Sequence, residues 1–472
     1  MNIINPVDWL KHQVKTNGYK TFIFTEDKKI TYLEFFGHVY SFSKDLQYLN
    51  ELPVKNIGLL YNNGLEFLYY IFSLWNLGLT PVLFNSKLTD NEIIELYDYS
   101  DCIDFFSDRS FDFSFTNKIL DLNNINFEGY KQIPNTACII FTSGTTSKAK
   151  GVVLPFESII NSALDFNKTF NCSSDEIFMV SLPFYHIGGL MIVIRALISG
   201  STVFIPKSLK PADFIDGIIL SSPAYISVIP KQLNDILERN VVNKNLKALI
   251  VGGSATDTTL IQKALEYNLP VYKVYGSSET SSMVTICTPD EVKLFPSSSG
   301  KAIGPNKVYS INDKGEINPP DISGEIVVES STLFYEYYKK PYETNNKLIN
   351  IRYYTGDIGY INENGFLFIQ NRREDLIISG GENISPYEIE QTLKQMPHVK
   401  DVCLVGVKDN QWGEVPAAFI IADSIITIPD IIDFLSPKLA PFKIPKHFIF
   451  VNQFPLNDMG KINKNALRNL IS

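Results

Sequence analysis

The chain has 472 residues, more than a single hydrophobic core usually serves, so several subdomains are expected. Hydrophobic residues make up 45% of the chain and charged residues 20%, which is ordinary for a globular protein in water. The net charge of −9 excludes nucleic acid as the main partner, because neutralising a phosphate backbone requires a basic surplus.

The cysteines, the histidines and the N-terminus indicate the cellular setting. The five histidines are dispersed, and so are the five cysteines, which form no CxxC pair (Cys102, Cys138, Cys172, Cys287 and Cys403). This pattern predicts reduced thiols in a cytoplasmic protein, with neither a disulfide framework nor a zinc site. The start MNIINPVDWLKHQ has no apolar core behind a basic segment, so no secretory signal is expected.

The uncharged run FLYYIFSLWNLGLTPVLF (67–84) is long enough to raise the question of a membrane span. Asn76, Gly78 and Pro81 interrupt it. Because such residues break a helix, the run predicts a buried helix that ends near Gly78 and a strand that starts at Pro81. No stable membrane insertion is therefore expected.

Short β-rich runs alternate with helix-length segments through most of the chain, which predicts parallel sheets covered by helices. From about Gly300, short strands and turns predict a small barrel-like or antiparallel subdomain. The charged segment NRREDLI (371–377) predicts a boundary, and an α+β unit of ordinary domain size follows it. The predicted strands are 56–61, 201–206, 224–230, 247–253, 270–276, 399–407 and 417–422, and helices are predicted at 385–396 and 431–440.

The stretch FTSGTTSKAKGVVLP (141–155) is suited to binding phosphate. It is not a Walker A loop, because Ala149 stands where that motif requires glycine. Hydroxyl groups, a glycine that lets the backbone approach and two lysines are nevertheless what a phosphate needs, and a solvated polar turn is the alternative. These residues are Thr142, Ser143, Gly144, Thr145, Thr146, Lys148 and Lys150.

Four more stretches follow in fixed order: YGSSET (275–280), YTGD (354–357), NRREDLIISGGENI (371–384) and PLNDMGK (455–461). Together with the first stretch they resemble the signature motifs of the adenylate-forming superfamily, over nearly the whole chain. The resemblance implies an α/β fold: a large N-terminal region of two helix-covered sheets plus a small distorted barrel, followed by a small mobile α+β C-terminal domain. The implied domains are 1–371 for binding ATP and the acid, a hinge at 372–375, and 376–472.

The resemblance also implies the reaction. A carboxylate attacks the α-phosphate of ATP to give an acyl-adenylate and pyrophosphate, and most members then pass the acyl group to a thiol such as that of CoA. Mg²⁺ and preorganised donors would meet the charge on the phosphate oxygens. The implied ATP-binding residues are Thr142, Ser143, Gly144, Thr145, Thr146, Lys150, Tyr275, Gly276, Ser278, Asp357 and Arg372.

Particular roles follow from the same resemblance. Glu279 would be the Mg²⁺ ligand, with an exposed loop carboxylate as its alternative. Asp357 would accept both ribose hydroxyls. Lys461 would bridge the carboxylate and the α-phosphate during adenylation, with a solvated charge near the chain end as its alternative. Arg372 would support the ribose region, with a structural salt bridge as its alternative. Asp375 would be the hinge. Gly380 and Gly381 would leave room for the pantetheine arm of CoA.

The sequence departs from the family pattern in a few places. Ser147 and Ala149 stand where glycine and proline are usual, Asn371 replaces a glycine, and Ser278 replaces a threonine. None of these changes removes a residue implied to donate to phosphate, so the expectation of an enzyme stands.

Arg195 in FYHIGGLMIVIRALISG (184–200) indicates which carboxylic acid is the substrate. No acidic residue lies three or four positions away on the predicted helix. A buried arginine without a partner is costly, so Arg195 should be exposed, be paired with a distant acid, or meet an anion of the substrate such as a second carboxylate. His186 aligns with a catalytic residue at the acyl pocket and thiol tunnel, and a structural histidine is its alternative.

Four segments look like those of the o-succinylbenzoate–CoA ligases of menaquinone biosynthesis, whose substrate is a dicarboxylate. They are LPFYHIGGL (182–190) with Arg195 and Gly200 after it, YNLPVYKVYGSSET (267–280), RREDLIISGGENISPYEIE (372–390) and PKHFIFVNQFPLNDMGK (445–461). Gly252, Gly253 and Ser254, with residues 277–282, would then frame its aromatic ring. The alternatives are a CoA ligase for another aryl or fatty acid, an enzyme that loads a carrier protein, and a degenerate nucleotide-binding protein. The sequence leaves a homo-oligomer open.

Overall fold

The computed structural model of the protein describes residues 5–51, 55–111, 135–142, 150–241, 243–253, 256, 258–372, 375, 377–379, 382–409, 413–439, 441–457 and 460–471. The chain forms two compact units. The first contains Met1–Lys307 and Val328–Tyr353, and the second contains Val308–Val327 and Tyr354–Ser472.

The helices and strands are numbered in chain order. The helices are α1 (Pro6–Asn17), α2 (Tyr32–Asp45), α3 (Leu65–Asn76), α4 (Asp90–Tyr99), α5 (Phe156–Phe170), α6 (Ile187–Ser199), α7 (Pro211–Ser221), α8 (Pro230–Glu238), α9 (Thr258–Glu266), α10 (Pro289–Leu294), α11 (Pro341–Lys347), α12 (Pro386–Leu393), α13 (Ile428–Leu435) and α14 (Lys464–Arg468). The strands are β1 (Thr21–Phe24), β2 (Lys29–Thr31), β3 (Asn56–Leu60), β4 (Thr80–Leu83), β5 (Asp104–Ser107), β6 (Thr136–Thr142), β7 (Lys150–Pro155), β8 (Ile177–Met179), β9 (Thr202–Phe204), β10 (Tyr225–Val228), β11 (Ala248–Val251), β12 (Val271–Ser277), β13 (Ser282–Cys287), β14 (Lys301–Ala302), β15 (Lys307–Ile311), β16 (Gly324–Glu329), β17 (Glu336–Tyr337), β18 (Leu348–Ile349), β19 (Arg352–Ile361), β20 (Leu367–Arg372), β21 (Ile377–Ser379), β22 (Glu382–Ile384), β23 (Val399–Asp409), β24 (Gly413–Ala422) and β25 (His447–Phe450).

The first unit contains two large sheets. Within the described residues, one sheet has nine strands in the order β14-β13-β12-β11-β10-β8-β9-β1-β2, and the other has six in the order β17-β7-β6-β4-β3-β5. The central pairs β10–β11 and β3–β4 are parallel. Their strands are buried throughout or nearly so, as strands covered by helices on both faces must be. The prediction of two helix-covered parallel sheets is confirmed.

The apolar run at 67–84 folds as predicted. Helix α3 ends at Asn76, Gly78 adopts a left-handed backbone with φ of +71°, and β4 begins at Thr80. Trp75 in this helix is buried and donates its indole N–H to the Ala137 carbonyl. In the part of the chain that the structure describes, no helix has the length and apolar character needed to cross a bilayer.

The short strands after residue 300 form a smaller sheet. Its order is β15-β16-β19-β18, with β20 also paired to β19, and the β19–β20 pair is antiparallel. The prediction of a small barrel-like sheet is therefore confirmed. Residues 308–327 and 354–371 of this region group with the C-terminal residues, whereas the sequence placed the boundary at 371. The predicted hinge at 372–375 stays a prediction.

The C-terminal residues form the predicted α+β arrangement. The sheet order is β22-β21-β24-β23, with β25 parallel to β24. The predicted helix at 431–440 is displaced, since α13 spans Ile428–Leu435. The reason is local: Thr427 caps the helix and shares a capping box with Asp430, while Pro437 follows the last turn.

Candidate active site

The predicted phosphate-binding stretch joins two neighbouring strands. Strand β6 ends at Thr142 and β7 begins at Lys150, and these two residues are partners in the antiparallel register. The Thr142 hydroxyl donates to the Lys150 carbonyl at 3.4 Å. The strand ends therefore fix both ends of the loop. The predicted residues Ser143, Gly144, Thr145, Thr146 and Lys148, with the departures Ser147 and Ala149, lie outside the described residues.

Glu279 and Lys150 meet the same aromatic side chain. The Tyr337 hydroxyl donates to Oε1 of Glu279 at 2.9 Å, and Nζ of Lys150 lies 5.5 Å from the centre of the Tyr337 ring. The backbone carbonyl of Glu279 accepts from the Phe334 amide at 2.8 Å, which fixes the glutamate main chain. The structure thus brings the predicted Mg²⁺ ligand and the predicted phosphate-binding lysine to one place.

The YGSSET segment makes a sharp turn between β12 and β13. Ser278–Thr280 form a single 3-10 turn, closed by a hydrogen bond from the Ser277 amide to the Thr280 hydroxyl at 2.8 Å. A Cβ atom on Gly276 would lie 1.9 Å from the Ser282 carbonyl oxygen, so only glycine fits there. Ser282 itself has φ of +114°, a backbone region that L-residues rarely adopt. Ser278 and Tyr275 are half-buried beside this turn.

Arg195 lies inside the first unit, in helix α6. Arg195 is only 3% exposed, so the alternative that it is exposed to solvent is wrong. Its Nη2 donates to Oγ of Ser282 at 2.8 Å, and its guanidinium carbon lies 4.1 Å from the centre of the Phe166 ring. Its Nε has no hydrogen-bond partner, and no carboxylate pairs with it anywhere in the described ranges. The distant partner of Arg195 is therefore a neutral serine and not the acidic residue that was one of the expected alternatives.

The electrostatics of Arg195 are unfavourable. Burial lowers the pKa of its guanidinium to about 9, an effect that the nearby Cys172 thiol opposes. The same burial raises the pKa of Cys172 to about 11. The serine, the aromatic ring and the thiol are all neutral, so a full positive charge is held there without a counter-charge from any residue that the structure describes. Such a site is suited to an anion.

The remaining predicted acyl-pocket residues lie at element ends. His186 is the N-cap residue of α6, half-buried, with its ring 4.7 Å from that of Tyr185. Gly252 follows β11, and a Cβ atom there would come within 2.7 Å of the Val274 side chain. Gly253 has φ of +84°. Ser254 lies outside the described residues.

The second unit holds the YTGD motif. Asp357 in β19 is buried and lies opposite Arg372 of β20 in the antiparallel register. The Thr355 hydroxyl accepts from the Asp357 amide at 3.0 Å and donates to the Ile326 carbonyl at 2.7 Å. The motif threonine therefore fixes the backbone that carries the aspartate. The side chains of Arg372 and Asn371 are outside the description.

Lys461 and Asp375 also lie in the second unit. Lys461 is exposed on a tight loop: its amide donates to Oδ1 of Asn457 at 2.9 Å, and its carbonyl accepts from the Asn457 amide at 2.7 Å. Gly460 adopts φ of +69° in this loop, which explains the glycine before the lysine. Asp375 forms an ion pair with Lys464 of α14 at 3.0 Å. Gly380 and Gly381 lie outside the described residues.

Several contact residues were missed by the sequence analysis. Tyr337 and Phe166 contact predicted site residues, and Lys464 contacts the predicted hinge. Ser282 lies in the stretch 277–282 that was predicted to frame the aromatic ring, but its contact with Arg195 was not predicted. Tyr337 stands among three other tyrosines in FYEYYKKPY (334–342), and nothing in that run distinguishes it.

The parallel sheets, the small strand-rich region and the C-terminal α+β unit define an enzyme with the adenylate-forming fold. The family model for AMP-binding enzymes matches residues 10–338, and the model for the C-terminal domain of AMP-binding enzymes matches residues 388–461. The chain belongs to the AMP-binding enzyme family.

Similar proteins share the full length of the chain. The 2-succinylbenzoate–CoA ligase of Bacillus cereus is 31% identical over 478 residues, which cover 98% of each chain. That of Bacillus thuringiensis subsp. konkukian is 31% identical over 479 residues with the same coverage. The o-succinylbenzoate CoA synthetase of Bacillus subtilis, in complex with its acyl-adenylate intermediate, matches with a TM-score of 0.85 and 27% identity, over 98% of this chain and 97% of that chain. Its complex with ATP and magnesium ion matches with the same score and identity, over 98% and 99%.

Proposed function

We propose that the protein is an ATP-dependent acid–CoA ligase that converts o-succinylbenzoate to o-succinylbenzoyl-CoA. The reaction would pass through an acyl-adenylate, with release of pyrophosphate and then AMP, and would belong to menaquinone biosynthesis. The observation that carries the choice of acid is Arg195, a buried cation without a carboxylate partner among the described residues. The full-length similarity to ligases for this dicarboxylate supports the same choice.

In this proposal Arg195 receives the carboxylate that does not react. A carboxylate can accept charge-assisted hydrogen bonds from Nε and Nη2 together, whereas the Ser282 hydroxyl engages only Nη2. The acid would therefore supply both the missing partner and the missing negative charge. Gly252, Gly253 and Ser254 are proposed to frame the aromatic ring, and His186 to lie at the acyl pocket.

The residues around Glu279 suit Mg²⁺ held with ATP. Oε1 of Glu279 accepts from Tyr337, which leaves Oε2 for a cation, and Glu279 is half-buried rather than enclosed. Mg²⁺ commonly takes one or two protein carboxylates and completes its shell with phosphate oxygens and water. When bound, Mg²⁺ would neutralise the charge on the phosphates. Lys150 and the hydroxyls of the 142–146 loop would hold those oxygens, and Ser278 would hydrogen-bond the α-phosphate.

The second unit would supply the ribose and transfer residues. Asp357 would accept the two ribose hydroxyls, supported by Arg372 opposite it in the sheet. Lys461, exposed on its tight loop, would supply a positive charge to stabilise the negative charge that develops at the α-phosphate. Asp375 is proposed as the hinge for the switch to thioester formation, with Gly380 and Gly381 beside the pantetheine arm of CoA.

A panel of acids tests the proposal directly. Purified protein is incubated with ATP, Mg²⁺ and CoA and with o-succinylbenzoate, benzoate or a medium-chain fatty acid, and each acyl-CoA is measured by mass spectrometry. The proposal requires o-succinylbenzoyl-CoA as the main product. Equal turnover of benzoate would contradict the need for a second carboxylate, and the absence of acyl-CoA from every acid would contradict the role of CoA.

The setting of the enzyme follows from its substrates. ATP and CoA are the co-substrates, and we propose that the enzyme works in the cytoplasm, where both are available. The homo-oligomer stays a prediction, which light scattering on the purified protein would test.

A further inference from the structure

We propose that Tyr337 is a positioning residue that holds Glu279 ready for Mg²⁺ and keeps it apart from Lys150. The inference rests on the proposed function, because it concerns how that function's metal ligand and phosphate-binding lysine are arranged. Its basis is the pair of contacts described above: the phenol hydroxyl donates to Glu279, and the face of the same ring meets the Lys150 ammonium.

The Tyr337 side chain is itself rigidly held. The residue is 3% exposed and belongs to β17, where it pairs with Val152 of β7. Its amide donates to the Thr344 hydroxyl at 2.9 Å, and its ring lies 4.7 Å from that of Phe334. A fixed donor can set the rotamer of a flexible carboxylate, whereas a mobile surface group cannot.

A buried neighbour extends the network. Tyr353 is 5% exposed and lies close enough to Tyr337 and Glu279 for both to affect its ionisation. Burial, and next the Glu279 carboxylate, raise the pKa of Tyr353 well above its ordinary value, so this phenol stays protonated. Tyr353 and Tyr337 are therefore two buried phenols beside the Glu279 carboxylate.

The ring also separates two opposite charges. An ion pair between Glu279 and Lys150 would occupy both the carboxylate and the ammonium. Within the described residues no ion pair joins Glu279 to Lys150; the lysine instead lies over the face of the ring, at a distance typical of a cation–π contact. Tyr337 therefore leaves the carboxylate for Mg²⁺ and the ammonium for phosphate.

The test compares two adjacent tyrosines. Tyr337→Phe removes the hydroxyl that meets Glu279 and keeps the ring. Tyr338→Phe is the matched control, because Tyr338 is equally buried but its hydroxyl contacts Asp101 and Asn56 instead. Binding of α,β-methylene ATP is measured by calorimetry over a series of Mg²⁺ concentrations, and KM is measured for ATP and for the acid.

Tyr337→Phe should raise the Mg²⁺ concentration for half-maximal binding about 10-fold or more, the usual effect of removing a partner of a metal ligand. KM for ATP should rise with it, while KM for the acid should stay within about 2-fold, since the acid does not meet this network. Tyr338→Phe should leave the Mg²⁺ dependence unchanged. Glu279→Gln should abolish the dependence.

Two results would overturn the inference. If Tyr337→Phe matches Tyr338→Phe while Glu279→Gln loses Mg²⁺ dependence, Tyr337 does not position the glutamate, although the metal role of Glu279 stands. If neither Tyr337→Phe nor Glu279→Gln changes the Mg²⁺ dependence, the metal role of Glu279 fails as well. If Tyr337→Phe lowers the midpoint of thermal unfolding more than Tyr338→Phe does, the two variants can still be compared on their folded fractions. Mn²⁺ binding, followed by electron paramagnetic resonance, then replaces the Mg²⁺ titration.

Discussion

Replacing Arg195 by methionine should stabilise the protein and weaken its acid binding at the same time. Burial lowers the pKa of Arg195 to about 9. At about 1.4 kcal/mol per pH unit, that fall corresponds to a cost of roughly 5 kcal/mol for holding the charge at neutral pH. The hydrogen bond to Ser282 and the contact with the Phe166 ring offset about 2–4 kcal/mol of the cost of burying the charge.

Methionine has a similar length and no charge, so Arg195→Met should raise the free energy of unfolding by about 1–3 kcal/mol. KM for o-succinylbenzoate should rise about 10- to 100-fold, and KM for ATP should change little. Urea unfolding and steady-state kinetics measure the two effects. The matched control is Arg239→Met, at an exposed position after α8, which should alter neither quantity.

The pH dependence of stability has a definite sign. Because the folded-state pKa of Arg195 lies below its unfolded value, the unfolded chain binds more protons as pH rises through about 9. Wild-type stability should therefore increase relative to Arg195→Met above that pH. A variant that is less stable than wild type by more than about 2 kcal/mol, with KM for the acid unchanged, would refute the reasoning and make Arg195 a structural group.

Three further substitutions have clear expectations. Gly276→Ala should cost about 3 kcal/mol or more in thermal unfolding, because its Cβ would collide with the Ser282 carbonyl, whereas Gly37→Ala, with open space around it, should be neutral or slightly stabilising. Lys461→Ala should slow ATP–pyrophosphate exchange about 100-fold and spare thioester formation from preformed adenylate; equal loss of both steps would contradict its role. Ser282→Gly should be more stable than Ser282→Ala by about 1–2 kcal/mol, because glycine relieves the strain at φ of +114° and both lose the hydroxyl; equal stabilities would show that the backbone there is unstrained.

The sequence predicted the fold where local patterns decide it. The apolar run on either side of Gly78 became α3 and β4, and the runs at 56–61, 224–230 and 247–253 became parallel strands, because burial on both faces leaves a continuous apolar signature. Both predicted bounds of the 431–440 helix were wrong, because the Thr427 cap sets its start and Pro437 limits its end, and these local signals are not visible in the apolar periodicity. Element type was therefore more predictable than element boundary.

The candidate site was only partly predictable, since its contacts join distant parts of the chain. Arg195 and Ser282 are 87 positions apart, and Glu279 and Tyr337 are 58 apart. A sequence pattern can indicate that an arginine lacks a local acid, as it did here. It cannot indicate which side chain the fold brings to that arginine, because this depends on how the sheet and its covering helices pack.

Ser282 links the two halves of the proposed chemistry within the first unit. The turn at 277–282 carries Glu279 on one side, and its strained last residue meets Arg195 on the other. Glycine would adopt φ of +114° without strain, whereas serine supplies the hydroxyl that accepts from Arg195. When a carboxylate of the acid binds Arg195, the Nη2 group would donate to that carboxylate as well as to Ser282, or would release Ser282. Either change would alter a contact that holds the strained turn. Binding of the acid would then be coupled to the position of the residue that serves Mg²⁺ and ATP.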